Sequence, residues 1–279
     1  MLVPNSAYDD FRKAVDCAEE RLDLARAALA IASSDYPNLD IADYLSRIDG
    51  LAMEVAERLG DETNVYRSIA GLNDILFRRH GYRGNRAEYF DPKNSFLNEV
   101  MERKKGIPIT LSVLYMEVAQ RIGFPLHGVG FPGHFLVKYM DNDQEIVIDP
   151  FNGGDIPGTA TLENLLRRLY GGRATLHPDL LEPVTKKQTL SRLLNNLKLI
   201  YLGANDFVRG LSIIDRLLIL EPDSAEDLRD RGAIFLKLEC FQQALDAFET
   251  YLRLVPDAED APAVRKQAVR LRKQVRQIH

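Results

Sequence analysis

Residues 106–151 read GIPITLSVLYMEVAQRIGFPLHGVGFPGHFLVKYMDNDQEIVIDPF, and the reading of this stretch decides the fold. Pro108 suits the first turn of a helix, where its missing N–H would have no partner anyway. Leu111, Leu114, Tyr115, Val118 and Ile122 predict a helix over about 108–122, ended by Gly123-Phe124-Pro125. It is apolar around most of its circumference, the pattern of a helix buried inside a domain. Three strand candidates follow at about 126–131, 134–140 and 145–149. The last two are parted by Asp141-Asn142-Asp143, a natural hairpin turn. His134 opens one of these strands and Asp149 closes the next. An imidazole and a carboxylate are thus set on neighbouring antiparallel strands.

Upstream the chain reads as helices. Phe11, Val15, Leu22, Ala25 and Leu29 predict one over 7–34, ending before Tyr36-Pro37. Ile41, Tyr44, Leu45, Ile48, Leu51, Val55 and Leu59 predict a second over about 40–59, closed by Gly60. A third is expected over about 62–79, and a loop over 81–93, where Gly81, Gly84, Asn85 and Asp91-Pro92 cluster. Asn94 or Ser95 would cap a short helix reaching about Arg103. Downstream, Asn152-Gly153-Gly154 marks a loop and 161–170 a closing helix. The region 1–170 is therefore expected to be an α+β domain, helices first and then a small antiparallel sheet. Residues 171–187, with Gly171-Gly172, Pro178, Pro183 and Lys186-Lys187, read as a linker.

From 188 to 279 the chain is purely helical with an internal repeat. Leu218-Ile219-Leu220-Glu221-Pro222-Asp223 returns as Leu252-Arg253-Leu254-Val255-Pro256-Asp257, 34 residues on. At the same offset Leu202 matches Leu236, Phe207 matches Phe241, Gly210 matches Ala244 and Ile214 matches Phe248. That period, with small residues at the helix crossing, resembles the tetratricopeptide repeat. Two repeats fall short of the usual three, so a helix over 262–278 is expected to serve as the cap. Its basic residues (Arg265, Lys266, Arg270, Arg272, Lys273, Arg276) read as the solvated side of that cap, or else as a phosphate-binding face.

Composition narrows the function. Hydrophobic content of 46%, charged content of 28%, a net charge of −5 and a pI near 5.6 describe a globular chain with no electrostatic case for nucleic acid or anionic membrane as partner. No apolar run approaches the ~20 residues that span a bilayer. Met1-Leu2-Val3-Pro4-Asn5 leads into a charged helix with no signal-peptide core. Cys17 and Cys240 form neither a disulfide framework nor a metal-ligand spacing. These features lead to the expectation of a cytoplasmic protein. No cofactor is implied. A metal held by His127, His134 and Asp149 has no HxH or HExxH spacing behind it, so no metal site is expected.

The layout of residues 106–151 resembles the core of the transglutaminase and papain-like acyl-transfer fold. There a Gly-x-Cys at a helix N-terminus supplies a thiolate favoured by the helix dipole, with a His as proton acceptor and an Asp orienting the ring. The resemblance places Pro108 at the Cys position, and proline carries no nucleophile. Residues 94–100, 106–112, 130–135 and 149–151 further resemble the bacterial SirB family. Those proteins join a transglutaminase-like domain to C-terminal tetratricopeptide repeats and are labelled regulators of virulence or invasion in some bacteria. The resemblance covers roughly residues 40–260.

Two functions from different classes follow. One is a non-catalytic interaction or regulatory protein, a transglutaminase-like pseudoenzyme. Its repeats would bind a protein or peptide partner, and a retained polar pocket of His134, Asp149 and Asn152, with Pro108 and Phe135, would hold a carboxylate or amide. The other is a hydrolase or acyltransferase using Ser112 or Thr110 with His134 and Asp149. Ser112 lies one turn beyond Pro108 on the same face, and Thr110 nearer the positive helix end. Both hydroxyls can equally bond backbone carbonyls or cap the helix. An acid–base enzyme using His134 and Asp149 without a covalent step is a third possibility.

Overall fold

The computed structural model describes residues 5–141, 144–172 and 174–278, so Met1–Pro4 and the turn residues Asn142 and Asp143 lie outside the described residues. The chain divides into two compact units. One is Asp9–Leu193, and the other is Leu194 onward together with the N-terminal stretch up to Tyr8.

The helix expected over 7–34 is broken. Helices α1 (Asn5–Val15) and α2 (Leu24–Ala32) are separated by a 3-10 turn at Glu19–Arg21. The break is local chemistry: the Asp23 carboxylate accepts the Arg26 backbone N–H at 2.8 Å and caps a new helix. Helix α3 (Ile41–Leu59) stands where expected, capped by Asp40 and ended by Gly60 with φ +56°. Helix α4 (Val65–Asn73) runs on into a π-helical segment, Asp74–Arg79. The expected loop 81–93 contains a two-residue strand, β1 (Arg83–Gly84), parallel to β2 (Lys105–Gly106). Between them lies α5 (Leu97–Arg103).

Helix α6 (Pro108–Arg121) runs through the interior, and every residue from Pro108 to Ala119 is buried. Pro108 occupies its first turn, as its fixed φ and absent N–H allow. Gly123, at φ +73°, turns the chain out of it. Around α6 pack α2, α3, α4 and α5 and one antiparallel sheet: β3 (His127–Val129), β4 (Leu136–Met140), β5 (Glu145–Ile148) and β6 (Pro183–Val184), in the spatial order β5-β4-β3-β6. Helix α7 (Thr159–Tyr170) buries Leu162 and Leu166 against Val129, Phe131 and Leu136 of this sheet.

The stretch 171–187 includes a 3-10 turn at Pro178–Leu181 and strand β6, which pairs with β3. Helix α8 (Lys186–Gly203) begins directly after it. The boundary between compact units falls inside α8, at Leu193 and Leu194, rather than in the Gly- and Pro-containing stretch. Leu190, Leu193, Leu194 and Leu197 are all buried, so the helix is packed on both sides of that boundary.

The repeat unit continues with α9 (Phe207–Leu220), α10 (Ala225–Lys237), α11 (Phe241–Leu254) and α12 (Ala261–Ile278). Matched apolar pairs enter one core: Leu202 with Leu236, Phe207 with Phe241, Ile214 with Phe248 and Leu218 with Leu252. The backbone repeats too, since Asn205 and Glu239, 34 residues apart, both have positive φ, 56° and 58°. Gly210 sits at a crossing, where a Cβ would stand 2.8 Å from the end of the Leu202 side chain, and its counterpart 34 residues on is the small Ala244. Val264, Ala268 and Leu271 of α12 close the core, while Arg272 donates to Glu249 on its outer side. Sequence did not single out Lys198, buried and bonded to Asp227 at 2.8 Å and Asp230 at 2.6 Å, which ties α8 to α10.

Candidate functional site

The β4–β5 register pairs Val137 with Ile148. Asp149 directly follows β5 and His134 stands two residues before β4, so both lie at the same end of this hairpin. Fifteen residues of separation thus become direct contact. His134 Nε2 lies 2.9 Å from Asp149 Oδ2, and the two side chains are only 9% and 5% exposed.

Asp149 is tied down at both oxygens. Oδ1 accepts the backbone N–H groups of Phe151 and Asn152 at 3.1 and 3.3 Å, capping the short turn Pro150–Asn152. Oδ2 accepts from the Asn152 side-chain amide at 2.6 Å as well as from the imidazole. A carboxylate only accepts, so His134 Nε2 donates to it, and Nδ1 is the ring nitrogen that Asp149 leaves unengaged. Among the described residues Nδ1 makes no hydrogen bond.

The turn that carries Asp149 packs against α6 and β1. Phe151 fits there because residue 84 is glycine: a Cβ on Gly84 would lie 2.6 Å from its ring. The turn is also anchored from α4 and α6. Asn73 donates to the Gly154 carbonyl at 2.9 Å and accepts from the buried Tyr115 hydroxyl at 2.9 Å. Burial raises the Tyr115 phenol above its ordinary pKa, so it remains a donor.

The loop before His134 is held by Arg192 of α8. Its guanidinium donates to the carbonyls of Phe131 and His134, the latter at 2.6 Å, and lies 5.7 Å from the Phe135 ring centre. Burial lowers the Arg192 pKa and raises that of Tyr89, and each group's charge partly opposes the other's shift. Arg86 donates to the Asn152 side-chain oxygen and lies 5.0 Å over the Phe151 ring.

The other residues nominated from sequence are placed differently. Pro108 is buried in the first turn of α6. Thr110 is fully buried, and its hydroxyl donates to the Asn94 carbonyl at 2.7 Å while accepting the Ile107 N–H at 3.2 Å, a capping role. Ser112 is also fully buried, and its Oγ has no hydrogen-bond partner among the described residues. Phe135 packs across the β3 backbone, where a Cβ on Gly128 would lie 2.8 Å from its ring. His127 sits exposed on β3 opposite Lys138. Among the described residues no three His, Cys, Asp or Glu side chains assemble in a way that could hold a metal. A cleft of about 650 Å³ lies elsewhere, at the C-terminal end of α6, lined by Met53, Leu59, Phe124 and Tyr139 among others.

Sequence reading passed over Arg86, Tyr89 and Arg192. The loop signal of Gly84-Asn85 lies beside the first two, but Arg192 is 58 residues from the carbonyl it holds and no local motif marks it.

Comparison with known proteins agrees with this architecture. A family described as the transglutaminase-like superfamily matches residues 42–195, and a tetratricopeptide-repeat family matches residues 197–268. A UPF0162 protein of Xylella fastidiosa (strain Temecula1) is 39% identical over 271 residues, covering 94% of each chain. UPF0162 protein YchA of Escherichia coli (strain K12) is 27% identical, covering 92% of this chain and 93% of that one. Protein SirB1 of Salmonella typhimurium (strain LT2) is 25% identical, covering 84% and 86%.

Proposed function

The chain belongs to the transglutaminase-like superfamily, in the SirB group that adds tetratricopeptide repeats, and we propose that it is a binding and regulatory protein in which the acyl-transfer scaffold performs no covalent chemistry. The observation that carries this reading is the start of α6. Where the resemblance expects a thiol stands Pro108, and the nearby hydroxyls are in no position to replace it. Thr110 is committed to the Asn94 and Ile107 backbone, and Ser112 is sealed in the core. A hydroxyl nucleophile needs a base within hydrogen-bond reach and access for substrate.

The His134–Asp149–Asn152 cluster then serves as a polar ligand site, in which Nδ1 makes no hydrogen bond to the described residues. The repeats hold a segment of a protein partner, as such arrays do. Cytoplasmic residence belongs to the same proposal. No helix of the described residues is long and apolar enough to cross a membrane.

The runner-up, a hydrolase or acyltransferase using Ser112 or Thr110, draws its support from the retained His134–Asp149 pair. The two readings separate in one comparison of wild type, His134→Ala and Pro108→Ala. Ester and amide turnover should be absent in all three, and Pro108→Ala should bind the repeat partner as wild type does. Turnover in wild type that His134→Ala abolishes, with the variant still folded, would overturn the binding reading. Partner binding that survives substitutions along the repeat groove would remove its second half.

A further inference from the structure

The residues around His134 form a continuous row of rings that begins in solvent. Phe90 is 78% exposed and meets Tyr89 at 5.4 Å between ring centres. Tyr89 meets Phe151 at 6.2 Å, and Phe151 meets the His134 imidazole at 5.8 Å, each edge to face. Exposed aromatic rings leading to a buried polar cluster are what binding surfaces carry, since they supply apolar area at low conformational cost.

Charge is distributed around this row in an uneven way. Elsewhere in the same unit the arginines are largely spoken for: Arg47 by Glu102, Arg67 by Glu62, Arg79 by Glu54, Arg103 by Asp91, Arg121 by Asp49. Arg86 and Arg192, like Arg21, Arg83 and Arg168, are not among these pairs; what sets the first two apart is their place beside the row of rings. Among the described residues their donors go to an amide oxygen and to carbonyls, and neither has a carboxylate partner. Arg86 is exposed, stacked on Phe151, and linked through Asn152 to Asp149. In a chain with net charge −5, a guanidinium left without a carboxylate beside exposed rings is complementary to an anion with an apolar neighbour.

We propose that this rim recognises an acidic peptide segment. A ligand carboxylate pairs with Arg86, an adjoining aromatic or apolar side chain covers Phe90 and Tyr89, and a ligand N–H donates to His134 Nδ1. This deepens the binding reading of the site and rests on it.

The chain contains no tryptophan, so a tryptophan-bearing peptide reports its own binding. The test titrates the full chain into acetyl-Glu-Glu-Trp-Glu-amide and follows tryptophan anisotropy, with acetyl-Gln-Gln-Trp-Gln-amide as the neutral counterpart. The acidic peptide should bind at least about tenfold tighter than the neutral one. Arg86→Gln and Phe90→Ser should each weaken it about tenfold or more, and both positions are exposed, so folding is preserved. Arg78→Gln, at an exposed arginine already paired with Asp74, should bind within about twofold of wild type. Equal affinity for the two peptides, no binding of either, or insensitivity to Arg86→Gln overturns the proposal. Mass analysis of the peptide after prolonged incubation keeps the two readings apart. A cleaved or deamidated peptide would refute the non-catalytic reading while leaving recognition standing. An intact peptide that fails to bind refutes the recognition proposal alone.

Discussion

Replacing Asp149 by asparagine keeps the shape of the side chain but exchanges one acceptor oxygen for a donor. In the wild type each oxygen receives two hydrogen bonds. The variant's remaining oxygen would stay on the Phe151 and Asn152 backbone N–H groups, which fix the turn. The new NH2 would then face His134 Nε2 and the Asn152 amide. The imidazole can respond by moving its proton to Nδ1 and accepting at Nε2, so a charge-assisted bond becomes a neutral one. The Asn152 amide could accept only by flipping, which would turn its NH2 onto the Arg86 guanidinium, so one of its two bonds is lost either way. The His134 and Asp149 side chains are 9% and 5% exposed, so water screens little of this. The combined cost is roughly 2–4 kcal/mol. That corresponds to a fall of about 5–15 °C in the melting temperature of the Asp9–Leu193 unit, at a few degrees per kcal/mol for its size. Thermal unfolding measures the first quantity, and ¹⁵N chemical shifts of the histidine rings report the tautomer directly. A shift below about 1 °C with Nε2 still protonated would refute the view that Asp149 orients the imidazole.

Further substitutions test neighbouring parts of the argument. Gly154→Ala should destabilise by about 3 kcal/mol or more, because φ is +79° and a Cβ would stand 1.9 Å from Asn73 Oδ1; denaturant melts would show it. Thr110→Val and Ser112→Ala should diverge in the same assay. The first loses a buried capping hydroxyl at about 1–3 kcal/mol, and the second removes a hydroxyl without a partner and should be neutral or stabilising. Glu117 is buried, and desolvation holds its carboxyl above the ordinary range, with Arg121 opposing the shift. Because the folded pKa is raised, its contribution favours the fold at acid pH and is lost as pH rises through that pKa. Wild type should therefore lose more stability than Glu117→Gln as pH rises above the ordinary carboxylate range, and parallel stability profiles against pH would contradict the assignment.

Both domains were legible in the chain because each is written in local patterns. An all-apolar helix opened by proline and strands with a turn residue cluster between them define the first. A 34-residue recurrence defines the second, and even its loop backbone obeys the offset at Asn205 and Glu239. The misread elements were those decided by a single side chain or by distant pairing. Asp23 breaks the first helix, and β6 becomes a strand only because β3 offers it an edge.

The candidate site divides in the same way. Sequence alone pointed to His134 and Asp149 at one end of a β-hairpin; in the structure His134 lies two residues before β4 and Asp149 directly after β5, so both flank the paired strands rather than sit on them. Sequence also placed Pro108, rather than a nucleophile, at the start of the core helix. Only the tertiary structure decided which hydroxyls are committed, that Arg192 holds the His134 loop, and that Phe90, Tyr89 and Phe151 line up with the imidazole. Those contacts join residues from separate elements. Their distances are set by how the elements pack around α6, and no periodicity along the chain encodes them.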